Sequence, residues 1–201
     1  VFPEQAENWA WIADQLPSPA GGRGAGGEGG VRHIALEPPS PPAPLPKGEG
    51  SNPSPAIRTE KVLNLFAYTG GSTLAAAAAG MEVTHVDAAK NVVAWARRNA
   101  ELSGLAGAPI RWIAEDATKF VKRELKRGSR YDALILDPPS YGHGPRGEVW
   151  RLSKHLPRLL QMCAELTAGR PEFILLTCHT PGYDARVLRE MISDCFVGPA
   201  D

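Results

Sequence analysis

From Lys61 to Asp194 short apolar runs alternate with longer stretches of helical periodicity, and this alternation constrains the fold more than any other feature. Val62 to Phe66 reads as a buried strand, followed by an Ala-rich helix from Ser72 to Ala79 that Gly80 stops. Glu82 to Val86 is a second strand, with a helix from Ala88 to Ser103 ended by Gly104. Ile110 to Ala114 is a third, and Phe120, Val121 and Leu125 mark one side of the next helix. Tyr131 to Leu136 is a fourth, where Leu134, Ile135 and Leu136 run on without a polar residue, as a strand covered on both faces requires. A loop then precedes a helix whose Leu152, Leu156, Leu159, Leu160, Cys163 and Leu166 form one stripe. Phe173 to Thr177 is a fifth strand and Ala185 to Asp194 the last helix. Such a series predicts an α/β fold: a doubly wound, mainly parallel sheet with helices on both faces. In that architecture ligands bind beyond the carboxyl ends of the strands.

Composition changes sharply before this region. Residues 1–16 form a lead-in segment whose Trp9, Ile12 and Leu16 have helical spacing. Residues 17–56 are rich in glycine and proline, with seven glycines among residues 21–30, and offer neither a ladder nor an apolar face. They are expected to be a flexible insertion, tolerated because loop-closure entropy grows slowly with length. Residues 57–201 are the main domain. The start at Val1-Phe2-Pro3 and the stop at Asp201 suggest truncation at both ends, with the domain incomplete at its C-terminus.

The chain has 22 basic and 22 acidic residues, so it lacks the cationic excess of a stand-alone nucleic-acid binder. Its apolar stretches are too short to cross a bilayer and no secretory leader is visible, which makes a cytoplasmic location the expectation and a membrane partner unexpected. Cys163, Cys178 and Cys195 lack metal-ligand or redox spacing, so reduced thiols and no metal site are expected. Oligomeric state is not legible.

The strand ends carry the chemistry. After the first strand comes Ala67-Tyr68-Thr69-Gly70-Gly71, two glycines where a ligand can approach the backbone closely. G-x-G-x-x-G, the pattern of a dinucleotide site, is absent. The second strand ends in Asp87, a carboxylate able to accept the ribose hydroxyls of an adenosyl group. The third is followed by Asp116, which can accept from an adenine amino group or cap the next helix. The fourth empties into Asp137-Pro138-Pro139-Ser140-Tyr141-Gly142. Paired prolines fix an extended turn whose carbonyls are expected to lack partners and to be free for an amino group or ring N–H of a base, with Tyr141 as a stacking face.

These motifs, in this order, resemble those of class I S-adenosylmethionine-dependent methyltransferases, whose fold is Rossmann-like. Leu63 to Gly71 is similar to the N-x-F-x-Y-T-G signature of a bacterial family that methylates large-subunit ribosomal RNA, and Phe2-Pro3-Glu4-Gln5 resembles the segment leading into its core. The resemblance implies S-adenosylmethionine as cofactor, held by Gln5, Asn64, Phe66, Tyr68, Thr69, Gly70, Asp87, Asp116 and Asp137, and ribosomal RNA as substrate partner. It implies Asp137, Pro138, Pro139 and Tyr141 as catalytic residues. For an amino-nitrogen target, the Pro138 carbonyl and Asp137 carboxylate would orient the lone pair. For cytosine C5 a thiolate must first add to the ring, and Cys178, in a T-C-H sequence where RNA cytosine-C5 enzymes have T-C-S, is the candidate. Target base and atom stay open.

The loop His143-Gly144-Pro145-Arg146-Gly147 with Arg151 could serve as a lid or phosphate contact, and Lys122, Arg123, Lys126, Arg127 and Arg130 make a basic helix face that could touch RNA. Two other readings compete: a nicotinamide-dependent oxidoreductase on a similar sheet, and an inactive methyltransferase fragment.

Overall fold

The computed structural model describes Asn8, Trp9, Trp11, Ile12, Gln15, residues 59–143, Gly147 and residues 149–196. The expected insertion at 17–56 and Gln5 lie outside them. In chain order the elements are β1 (Lys61–Leu65), α1 (Gly71–Ala78), β2 (Glu82–Asp87), α2 (Lys90–Leu102), β3 (Ile110–Ala114), α3 (Ala117–Arg127), β4 (Ala133–Leu136), β5 (Tyr141–His143), β6 (Val149–Arg151), α4 (Leu152–Leu166), β7 (Phe173–Leu176) and α5 (Ala185–Phe196). Five strands form a parallel sheet, as the strand-helix alternation predicts, and their order is β3-β2-β1-β4-β7. The chain winds outward from β1 to one edge and then crosses back to β4, so the switch point lies between β1 and β4. There the loops part to opposite sides and leave a crevice.

Period-two alternation assigns side chains to the two faces. Val62, Val83, Ala133, Ile135 and Phe173 pack with Ala76, Ala77 and Met81 of the α1 region. Leu63, Leu65, Val86, Leu134 and Leu136 pack on the other face with Phe120 and Val121 of α3 and with Leu156, Leu159, Leu160 and Cys163 of α4. Apolar residues on both faces explain why the central strands read as continuous hydrophobic runs. Asn8, Trp9, Trp11 and Ile12 are helical. Ile12 is fully buried in the first cluster and Trp11 stands edge-on to Phe173 at 5.4 Å.

One expectation is corrected. The segment before α4 contains an antiparallel hairpin, with Tyr141 opposite Arg151, Gly142 opposite Trp150 and His143 opposite Val149. Strands of three residues that include glycine and histidine are too short to show a period, which is why they read as loop. Among the described residues, no helix is long and apolar enough to cross a membrane, and no group of three or more His, Cys, Asp or Glu is placed to hold a metal ion.

Candidate active site

An open cavity of about 1270 Å³ lies over the carboxyl ends of the strands at the switch point. Asn64, Phe66, Tyr68, Thr69 and Gly70 line it from the β1–α1 turn, Asp87 from the tip of β2, Asp116 from the end of β3, and Asp137, Pro138 and Pro139 from the end of β4. Ten residues picked from the sequence thus share one space. Ser140 of the same turn joins them, as do Trp150, Thr177, His179 and Trp9, which the sequence did not mark as site residues.

The β1–α1 turn is built under strain. Phe66 (φ 58°), Tyr68 (φ 46°) and Gly70 (φ 89°) all take left-handed backbone, and for the first two that is uncommon. Such residues persist where the surroundings over-determine them. Here the surroundings are visible: Tyr68 N–H donates to Asp87 Oδ2 at 3.0 Å, Ala67 N–H to the Val86 carbonyl at 3.1 Å, and Asn99 Nδ2 of α2 to the Thr69 carbonyl at 3.0 Å. Asp87 also accepts the Ala89 N–H at 2.9 Å, so each carboxylate oxygen already holds one backbone donor and keeps further acceptor capacity for a ligand. At Gly70 a Cβ would sit 3.2 Å from that of Ala96, so close packing as well as φ selects glycine.

Beneath the turn a buried polar chain runs from β1 to β2. Asn64 Nδ2 donates to Thr73 Oγ1 at 2.9 Å, which leaves the hydroxyl proton for His85 Nδ1, also at 2.9 Å. This pins α1 to the sheet. Burial holds His85 well below the usual imidazole range, at about 4, and so neutral.

At the end of β4, Asp137 Oδ1 accepts the Thr177 hydroxyl at 2.6 Å and its N–H donates to the Leu65 carbonyl at 3.3 Å. The expectation of unpartnered proline carbonyls needs correction. Pro139 O accepts the indole N–H of Trp150 at 2.7 Å, and Ser140 O accepts Leu152 N–H at 3.0 Å, because the hairpin folds back over the turn. Among the described residues none donates to the Pro138 carbonyl. Asp116 caps α3, its Oδ1 accepting Lys119 N–H at 2.9 Å, while still lining the cavity.

Two candidates stand apart from this wall. Tyr141 is exposed on β5, its hydroxyl 3.0 Å from His143 Nε2, beside Gly142 and His143 of the wall. Cys178 packs against the α3/α4 core cluster, whereas Thr177 and His179 on either side of it line the cavity. Strand parity is the cause: Ile174, Leu176 and Cys178 keep to one side of the sheet. In the basic face on α3, Arg123 pairs with Glu115 and Arg127 with Glu124, while Lys122 and Lys126 are exposed. The expected lid falls partly at residues 144–146, outside the described residues.

Comparison with known proteins bears directly on this arrangement. The family model of S-adenosylmethionine-dependent methyltransferases matches residues 55–190, about two thirds of the chain. A crystal structure of the SAM-dependent methyltransferase from Agrobacterium tumefaciens is similar over 97% of this chain and 50% of its own, at 38% identity and TM-score 0.72. The crystal structure of SMU.776 complexed with SAH is 26% identical over 71% of this chain and 37% of its own, with TM-score 0.59. Ribosomal RNA large subunit methyltransferase I of Aeromonas hydrophila is 37% identical over 83 residues, 41% of this chain. The matched part spans about a fifth of that relative's length and half of the Agrobacterium chain's. A family match that covers every strand from β1 to β7 sets aside the oxidoreductase reading: the chain belongs to the S-adenosylmethionine-dependent methyltransferase family.

Proposed function

We propose that this chain is the catalytic core of a methyltransferase that transfers the methyl group of S-adenosylmethionine to a base of ribosomal RNA in the cytoplasm. One observation carries the reading: the strained β1–α1 turn with Asp87 and Asp116, and the Asp137-Pro138-Pro139 turn, open onto a single cavity. At about 1270 Å³ that cavity exceeds the roughly 300–1,000 Å³ of an ordinary ligand pocket, so it has room for a cofactor and an extruded base together. The large-subunit ribosomal RNA methyltransferase among the relatives supports the choice of acceptor.

The residues fit the group. Asp87, with spare acceptor capacity on both oxygens, would hold the ribose hydroxyls, and Asp116 the adenine amino group. Asn64, Phe66, Tyr68, Thr69 and Gly70 would cradle the rest. When bound, the sulfonium supplies a methyl already activated for transfer. The protein's work is then orientation. Thr177 fixes the Asp137 carboxylate, and the Pro138 carbonyl with that carboxylate would accept the N–H groups of a base and take up positive charge developing on its nitrogen. Tyr141, exposed beside the cavity, would stack the base. Because Cys178 packs on the core, the favoured acceptor is a nitrogen that needs no covalent activation.

The test is transfer of tritiated methyl to large-subunit ribosomal RNA, followed by nucleoside analysis. Wild type should label a base, and Asp137→Ala should lose at least about a hundredfold, in line with removal of a preorganised transition-state contact. A folded wild-type protein that neither binds S-adenosylmethionine nor labels RNA overturns the proposal.

A further inference from the structure

The wall of the cavity beside α1 comes from outside the sheet. Trp9 lines the cavity next to Gly71, Ser72 and Ala75, yet it belongs to neither core cluster and is only half-buried. Its neighbours do the anchoring: Ile12 is fully buried against the sheet and Trp11 meets Phe173 edge-on. Trp9 is left to lie on Gly71. The contact is so close that a Cβ at Gly71 would sit 2.6 Å from Cζ2, 3.0 Å from Cε2 and 3.3 Å from Nε1 of the indole. Below 3.0 Å something has to move, so glycine at 71 is matched to the indole and not to a backbone angle. The residue that begins α1, directly after the strained turn, therefore carries an aromatic plate on its outer side.

We infer that Trp9 is a positioning residue of the cofactor site: it forms an apolar wall over the start of α1 and makes cofactor affinity depend on the seating of the N-terminal helix. This rests on the cofactor reading proposed above. The alternative, that Trp9 is packing alone, predicts a loss of stability with no loss of affinity once the protein is folded.

The geometry supplies its own control. Trp9→Ala removes the plate, and Gly71→Ala displaces it while leaving the tryptophan in the chain. In the Trp9→Ala background the clash at Gly71 disappears, so the two changes should be non-additive. The experiment is calorimetric titration of the full chain with S-adenosylhomocysteine, for wild type, Trp9→Ala, Trp9→Phe, Gly71→Ala and the Trp9→Ala/Gly71→Ala pair, each first checked for cooperative thermal unfolding. Trp9→Ala and Gly71→Ala are each expected to weaken binding about tenfold, Trp9→Phe to restore most of it, and the pair to bind no more weakly than Trp9→Ala. Should Trp9→Ala fail to fold, the comparison of Gly71→Ala and Trp9→Phe with wild type decides in its place. A Kd within twofold of wild type in the folded Trp9→Ala or Gly71→Ala protein overturns the inference and leaves the cofactor reading standing. No binding by folded wild type overturns both.

Discussion

Trp150 donates its indole N–H to the carbonyl of Pro139 at 2.7 Å while its ring packs on Phe66 at 4.9 Å between centroids, so one side chain of the β5–β6 hairpin touches both the Asp-Pro-Pro turn and the β1–α1 turn. Its other neighbour, His155 of α4, stacks on it at 5.4 Å. The two halves of the cavity are held in one geometry by a residue that is itself almost fully buried.

Trp150→Phe keeps a ring for Phe66 and removes the donor. Leaving one carbonyl without its partner should cost about 1 kcal/mol in urea unfolding. Methyl transfer to ribosomal RNA should fall further, by about tenfold, because a small displacement of a positioning turn is felt in the reaction geometry. Calorimetry should find S-adenosylhomocysteine affinity within twofold of wild type. Equal losses of affinity and turnover would show that the bond acts on the whole site and not on the turn.

Asp87 predicts the opposite split. Its two oxygens hold the N–H groups of Tyr68 and Ala89 and so fix the backbone on both sides of the proposed ribose site. Asp87→Asn preserves shape, removes the charge and replaces one acceptor with a donor. Hydrogen bonds to a charged group contribute about 1.5–3 kcal/mol each, so affinity for S-adenosylhomocysteine should drop by ten- to a hundredfold. Unchanged affinity would remove Asp87 from the cofactor site.

Cys178→Ala should retain wild-type transfer and lose about 1 kcal/mol of stability, since the thiol faces the α3/α4 cluster and not the cavity. Nucleoside analysis makes the check sharp. If the variant binds S-adenosylhomocysteine normally and transfers nothing, cytosine C5 becomes the target and the fifth strand's end must rearrange to present the thiol.

That case shows where the sequence was readable. The parallel, doubly wound sheet follows from the alternation of runs, though its strand order does not, and the acids Asp87, Asp116 and Asp137 could be placed because each stands at or just past the end of a short run bounded by a helix. Cys178 could have been placed as well: counting by twos from Ile174 puts it with the core side. Trp150 carried no such signal, because β5 and β6 have three residues each and, among the described residues, pair only with one another. Trp9 showed helical spacing, but its partner Gly71 is 62 residues away and contact over that distance has no local trace. The polar chain Asn64–Thr73–His85 was hidden for a related reason, since nothing near His85 in the sequence marks its partner and only the fold supplies Thr73.

His85 gives the pH dependence. In the folded chain burial holds it at about 4, against 6.5 for an ordinary imidazole, so between those values the unfolded chain takes up a proton that the native state refuses. Stability from this group is therefore intact above pH 6.5, declines as pH falls toward 4, and changes no further below that. Between pH 7 and pH 5 the loss should be about 2 kcal/mol. His85→Gln removes the titration while offering Thr73 an amide oxygen. Urea unfolding at the two pH values should then show a smaller drop for the variant than for wild type, by about that amount. Equal drops would mean that His85 takes up its proton in the folded state as readily as in the unfolded one, and that the Asn64–Thr73–His85 chain tolerates an imidazolium beneath the β1–α1 turn.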